Sequence, residues 1–375
     1  NAFRMAITAY QVVVHQARLG TLQHEAPVAA AQRDFMLLSQ QPHRKSGLAA
    51  TPRILCANAG WSEVAFCIML VRSIDPSCPA CPIAPKIMPA DPHPTARLMI
   101  ACPDARGIVA AVARFIAEHG GNLLDADQHT DREHGEFFMR AEFDLAGCDL
   151  DESNFSPAWA PLAERHHMSW RIRFNGRPMR VAILAGRLPH CLQDLLWRHQ
   201  AGELPMEIPA VISNHDVLRP IAAHAGIPFH HLPICDGDKG SQEAAIGEVL
   251  QREQIELVVL ARYMQVLSPA LLRGWENRII NIHHSFLPAF AGGDPYRQAY
   301  ERGVKLIGAT SHYVTEMLDD GPIIAQEVAQ VSHRSSVDDL KRLGRDLERN
   351  VLARAVRMHL HDRILVSQNK TVVFE

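Results

Sequence analysis

The sequence has no basic surplus, no long apolar run and no dense cysteine pattern, and each absence removes a class of function. Its 38 Lys and Arg against 41 Asp and Glu leave a formal net charge of -3, whereas nucleic-acid binders normally carry clustered excess basic charge. No nucleic-acid partner is expected. A membrane-spanning helix needs about 20 consecutive apolar residues; the longest run, over 64–71, is closed off by Glu63 and Arg72, so no membrane partner is expected either. The eight cysteines, Cys56, Cys67, Cys78, Cys81, Cys102, Cys148, Cys191 and Cys235, are scattered over 375 residues and lack the short-chain density of a secreted disulfide framework. A reducing cytoplasm suits such a chain.

What is present, 47% hydrophobic and 21% charged residues over 375 positions, is too long for one average domain and is read in segments. Residues 1–95 begin at Asn1 rather than Met and hold neither a helical nor a strand period for long. Prolines at Pro76, Pro79, Pro82, Pro85, Pro89, Pro92 and Pro94 forbid a regular helix or central strand. The block is left unassigned and is expected to be a disordered or non-native leader, with a transit peptide as the alternative. Having no period that could build a shared core, it is expected to be dispensable up to about Met88. Cys78-Pro-Ala-Cys81 has the spacing of half a zinc site, but zinc takes about four ligands and no second pair stands nearby.

From Arg97 the periodicities become regular. A strand over 97–102 is followed by a helix whose apolar stripe is Ile108, Val109, Val112, Phe115 and Ile116; Asp104 is expected to cap it and Gly120-Gly121 to stop it. Strands over 122–129 and 136–145, a helix around 159–165 and a strand over 169–174 complete a β-α-β-β-α-β order, the ferredoxin-like pattern. Segment 96–175 resembles the small regulatory ACT domains, chiefly through Cys102-Pro-Asp-Ala-Arg-Gly-Ile-Val109 and Glu118-His-Gly-Gly-Asn122. Arg106 stands where that family usually carries proline. The resemblance implies an amino-acid effector, glycine or methionine, and assembly as a homo-oligomer.

Beyond a turn-rich joint at 175–178, strands over 180–185, 207–213, 228–234 and 256–260 alternate with helical stretches such as 191–199. That order implies a doubly wound, mostly parallel sheet, in which ligands sit beyond the carboxyl ends of the strands. One strand, Ile279-Ile280, runs into Asn281-Ile-His283-His-Ser-Phe-Leu-Pro288, and alternation sends Asn281 and His283 to the same side. Another, over 306–314, leads to Asp319, where Gly321-Pro322 forces a turn able to fix a carboxylate. An amide, an imidazole and a carboxylate are what acyl transfer from a formamide requires: a general base for the attacking group and donors for the oxyanion. Taken singly, each has a plainer reading as a turn residue or a satisfied core residue. His283, His284 and His312 also raise a metal site, but no acidic ligand stands at a recognisable spacing, and no metal is expected.

Together, Asn281-x-His283-x-Ser285-x-Leu287-Pro288, Gly308-Ala-Thr-x-His312 and Leu318-Asp319-x-Gly321-Pro-Ile resemble the catalytic signature of the folate-dependent formyltransferase fold, here over 179–375. The resemblance implies that Asn281, His283 and Asp319 are the catalytic trio and that His312 supports them. It also implies that Tyr263, Met264, Val266 and Leu267, in Leu260-Ala-Arg-Tyr-Met-Gln-Val-Leu-Ser-Pro269, line the folate pocket with Thr315. The plainer reading of that segment is a buried strand leaving the sheet.

Within the family, the ACT-like segment and the stretches 295–305, 343–348 and 369–374 resemble the deformylase branch. That branch hydrolyses 10-formyltetrahydrofolate to tetrahydrofolate and formate in one-carbon metabolism linked to purine biosynthesis; the folate is its substrate and no bound cofactor is implied. A physical feature agrees. The turn Ala185-Gly-Arg-Leu-Pro-His190 has one flexible residue, and Pro189 lacks an N–H, so it makes a poor phosphate cradle at a helix N-terminus and leaves water as acceptor. Loop Ala291-Gly-Gly-Asp294 departs from the family pattern. Two alternatives stay open: a formyltransferase using glycinamide ribonucleotide or another amine acceptor, and an effector-binding protein whose catalytic domain has decayed.

Overall fold

In strand β1 (Thr95–Pro103), Leu98 and Ile100 point to one side and Met99 to the other, yet all three are buried. A strand read as a continuous apolar run must be covered on both faces, and the computed structural model, which describes residues 94–288 and 295–375, shows by what. On one side lie helices α1 (Ile108–Glu118) and, after strands β2 (Asn122–Asp131) and β3 (Glu136–Asp144), α2 (Phe155–Arg165), packed through Val112, Phe115, Phe155 and Trp159. Strand β4 (Ser169–Phe174) completes an antiparallel sheet in the order β2-β3-β1-β4, the expected ferredoxin-like arrangement. The other face, through Met99 and Phe138, meets Leu365 and Phe374 from the end of the chain.

Two expectations change in this half. Asp104 does not cap α1: Gly107, left-handed at φ 91, is the N-cap and no side chain bonds the helix end. Ala105 and Arg106 separate Asp104 from Gly107, and the Asp104 backbone N–H donates instead to Gly135 O at 2.8 Å. Helix α2 starts at Phe155, earlier than the sequence suggested, because Phe155 itself is a buried core residue stacked near Trp159.

The second half is built on a seven-stranded sheet. Its elements are β5 (Met179–Ala185), α3 (His190–Gln200), β6 (Met206–Ser213), α4 (Arg219–His224), β7 (Phe229–His231), α5 (Lys239–Arg252), β8 (Leu257–Ala261), α6 (Pro269–Leu272), β9 (Ile279–His283), α7 (Pro295–Glu301), β10 (Leu306–Tyr313), β11 (Ile323–Gln330) and α8 (Val337–Leu360). The strand order is β11-β10-β9-β8-β5-β6-β7. Strands β5 to β9 pair in parallel, while β10 and β11 extend the sheet antiparallel. Alternation splits the apolar runs between two cores: Val181, Ile183, Val211 and Val259 face α3 and α8, while Ala182, Leu184, Ile212 and Leu260 face α5. Strand β7 is shorter than the expected 228–234 because it is an edge strand paired only with β6.

Helix α8 is locked at its start by a capping box, Ser336 with Asp339. A terminal hairpin, β12 (Ile364–Ser367) and β13 (Lys370–Val373), follows it. Among the described residues no helix is long and apolar enough to cross a membrane. Of the leader expected over 1–95, residues 1–93 lie outside the described residues, as do the Cys78–Cys81 pair and the 291–294 loop, whereas Thr95 already opens β1.

Candidate active site

Strand β9 ends at His283, and its antiparallel partner β10 sets Asn281 opposite His312 and His283 opposite Thr310. Opposed residues of an antiparallel pair share a face, so two strands alone bring Asn281, His283 and His312 together. The connection between β10 and β11 adds Asp319, whose Oδ2 lies 3.2 Å from His283 Nδ1 and whose Oδ1 lies 3.8 Å from His312 Nε2.

The turn that delivers Asp319 is built as the sequence suggested, with a different division of labour. The left-handed residue is Asp319 itself, at φ 56, a region aspartate tolerates better than most residues. Gly321 is required for closeness: a Cβ there would sit 1.7 Å from Tyr313 O. Tyr313 N–H donates to Pro322 O at 2.9 Å, and the Thr315 hydroxyl donates to Met317 O at 3.1 Å. A register irregularity between Ser311 and His312 marks the same place.

Hydrogen bonds assign the rings. Burial holds the His312 imidazole below its ordinary pKa and therefore neutral. Its Nδ1 lies 2.8 Å from Tyr313 O, a pure acceptor, so Nδ1 carries the proton and Nε2 is left to accept from Asn281 Nδ2 at 3.3 Å. His312 thus turns the Asn281 amide so that its second N–H is available to a ligand. The hydrogen bond from His283 holds the Asp319 carboxyl below the usual carboxylate range, against burial acting the other way. His283 Nε2 is 2.8 Å from Ser285 Oγ. Ser285 was legible only as an unassigned letter of the motif; its period-two spacing from His283 is the signal that could have found it.

The residues expected to line a folate pocket separate by exposure. Met264 and Val266 are more than half exposed, whereas Tyr263 and Leu267 pack into the core between the sheet and α5; burial pushes the Tyr263 phenol up to about 12. Thr315 is exposed and tied to the Asp319 turn. A cavity of about 240 Å³ lies beyond the carboxyl ends of β5, β6 and β8, lined by Gly186, Arg187, Asn214, His215, Arg262 and Met264. In it, the turn after β5 presses on the chain after β8: a Cβ on Gly186 would lie 2.1 Å from Arg262 O. Only glycine fits at that approach, and the Gly186 N–H donates to Ala261 O at 3.5 Å.

Behind the site is a buried network that sequence reasoning did not anticipate. Glu348 of α8, 1% exposed, accepts from His190 Nε2 and Tyr296 Oη, both at 2.7 Å, and lies 3.4 Å from Arg262 Nε. Burial works to raise the Glu348 carboxyl, but His190, Arg262 and Tyr296 outweigh it and hold it low. His190, Cys191 and Glu348 bring ligating atoms within 4.8 Å of one another, but the carboxylate's charge is already met by Arg262. Burial and the Arg262 cation push His284, beside His283, down to about 4.

That shift carries a stability prediction. The unfolded chain protonates His284 near pH 6.5 and the folded chain only near pH 4, so the unfolded state binds more protons in between. Stability is full above about pH 6.5 and is lost as pH falls toward about 4. Melting scans at a series of pH values should show a progressive fall over that window, and His284→Gln should flatten it; an unchanged slope would show that other groups set it.

Residues 179–356 match the formyl transferase family and residues 96–153 match the ACT domain. A formyltetrahydrofolate deformylase from Synechocystis sp. is 53% identical over 280 residues, covering 75% of this chain and 98% of that protein. The chain belongs to the formyltetrahydrofolate deformylase family. A crystal structure of a family member from Pseudomonas syringae superposes with a TM-score of 0.74 at 49% identity, covering 76% of this chain and 96% of that one. A glycinamide ribonucleotide transformylase from Symbiobacterium toebii is 32% identical with a TM-score of 0.51, and although 97% of it is covered it spans only 54% of this chain. That transformylase thus accounts for a shorter stretch of this chain than the Pseudomonas protein does, and the ACT-domain match falls outside the matched formyl transferase region.

Proposed function

We propose that this chain hydrolyses 10-formyltetrahydrofolate to tetrahydrofolate and formate. The observation that carries the reading is the convergence of Asn281, His283, His312 and Asp319 at the end of one strand, in a chain that belongs to the deformylase family.

Asp319 orients a water and takes its proton as the oxygen attacks the formyl carbon. The carbonyl oxygen becomes an oxyanion, held by the Asn281 N–H that His312 leaves free and by His283 Nε2, which donates when the ring has taken a second proton from solvent before attack. Collapse breaks the C–N10 bond, the proton that Asp319 took from water passes to N10, and the formic acid formed leaves and ionises to formate. Met264, Val266 and Thr315 would contact the folate, with Tyr263 and Leu267 backing that wall from the core. The turn after β5, where Gly186 N–H is spent on Ala261 O and Pro189 has no N–H to offer, supports water as the acceptor in place of a phosphate-bearing amine. The assay is formate release from 10-formyltetrahydrofolate by purified protein, with and without glycinamide ribonucleotide. Formate that appears only as acceptor is consumed, or formyl transfer without formate, would overturn the reading.

The four-stranded domain is read as the effector site, for glycine or methionine, in a homo-oligomer. Edge strand β2, exposed along much of its length with Leu124 53% exposed, supports that assembly, and the free thiols of Cys102, Cys148, Cys191 and Cys235 support a reducing cytoplasm. Calorimetry should detect binding of one of the two amino acids; silence from both removes the effector assignment.

A further inference from the structure

The terminal hairpin touches both halves of the chain at points that matter. Near its base, Leu365 and Phe374 share one apolar cluster with Met99 and Phe138 of the four-stranded sheet. Arg171 of β4 donates to Ile364 O at 2.8 Å, and the Ser367 hydroxyl donates to Glu136 at the start of β3. At its tip the hairpin reaches the turn carrying Asp319: Asn369 Nδ2 donates to Asp320 O at 2.9 Å, and Thr371 Oγ1 donates to Ile323 O at 2.5 Å. The two acceptors flank the Gly321-Pro322 segment.

We propose that Asn369 and Thr371 are positioning residues for deformylation. They clamp the 319–323 turn, so that the hairpin, seated on the four-stranded domain, sets where the Asp319 carboxylate stands relative to His283. The inference rests on the reading that Asp319 orients the attacking water. Asp319 has a left-handed backbone, and its carboxylate is aimed by a turn with few internal bonds. Two donors from outside therefore have leverage on it. Misplacing a catalytic group by about 1 Å can cost as much as 10²-fold in rate, while one exposed hydrogen bond adds little to global stability. The expected signature is a loss in kcat without a matching loss in folding or substrate binding.

The test measures kcat, KM for 10-formyltetrahydrofolate and Tm for the full chain, for Asp319→Asn, and for Asn369→Ala with Thr371→Val singly and together. The pair is expected to lose about tenfold in kcat with KM and Tm near those of the parent, and Thr371→Ser, which keeps the hydroxyl, should restore most of the loss seen with Thr371→Val. Should the pair fail to fold, Thr371→Val against Thr371→Ser decides alone. An active parent and inactive Asp319→Asn beside fully active hairpin variants would overturn this inference and leave the proposed function standing. Loss that falls on KM, or that Thr371→Ser does not relieve, also overturns it. A parent that releases no formate removes both.

Discussion

Asp319→Asn should cut formate release by about 10² to 10⁴-fold while the folate still binds. The substitution keeps the size of the side chain, and asparagine tolerates the left-handed backbone at φ 56 as well as aspartate does, so the turn keeps its shape. What is lost is the proton acceptor 3.2 Å from His283 Nδ1. In the parent, the His283 hydrogen bond holds the carboxyl below the ordinary carboxylate range. Asp319 therefore stays ionised at neutral pH, and its contribution is lost only as pH falls through that lowered value. Asp320 is the control: it has the same charge one residue away, is exposed, and meets the hairpin through its backbone carbonyl. Asp320→Asn should leave turnover near that of the parent. The reverse outcome, with Asp320→Asn inactive and Asp319→Asn active, would overturn the catalytic assignment and the registration of the whole motif.

The sequence disclosed those parts of the site that obey a local period. Asn281 and His283 fall on one face because strand side chains alternate, and their position at a strand end followed from the apolar Ile279-Ile280 that runs into them. The β-α-β-β-α-β order and the mostly parallel sheet were legible for the same reason. Pairing between distant segments was not. That β10 runs antiparallel to β9, and so sets His312 opposite Asn281, depends on strand order, which no local period encodes. Glu348 reads as one more charge on an amphipathic helix until α8 packs it against His190, Tyr296 and Arg262. Arg262, at φ 59 after β8, looked like part of an apolar pocket segment, yet its guanidinium joins His190 in holding Glu348 low and joins burial in pushing His284 down. The hairpin's role was hidden similarly: Asn369 and Thr371 sit in a short alternating stretch, and only the fold brings them to the Asp319 turn.

His283→Ala is expected to lower turnover by about 10² to 10³-fold, the cost of losing one oxyanion donor. The ring also has a second duty that makes the variant diagnostic. Nδ1 donates to Asp319, and that bond is the largest influence lowering the Asp319 carboxyl. Without it the carboxyl moves back up toward the ordinary value, since burial still opposes the charge. The residual activity of His283→Ala should therefore fail at higher pH on the acid side than Asp319 alone would dictate in the parent. Nε2 reports on the other duty. In this structure it meets the Ser285 hydroxyl at 2.8 Å, a contact that the proposed donation to the substrate's carbonyl oxygen would have to replace. On the proposal that His283 and Asp319 serve one transition state, His283→Ala combined with Asp319→Asn should be little worse than the more damaging single change. A double variant whose loss is the product of the two single losses would mean that the residues act in separate steps, and the shared oxyanion and water-orienting arrangement would have to be abandoned.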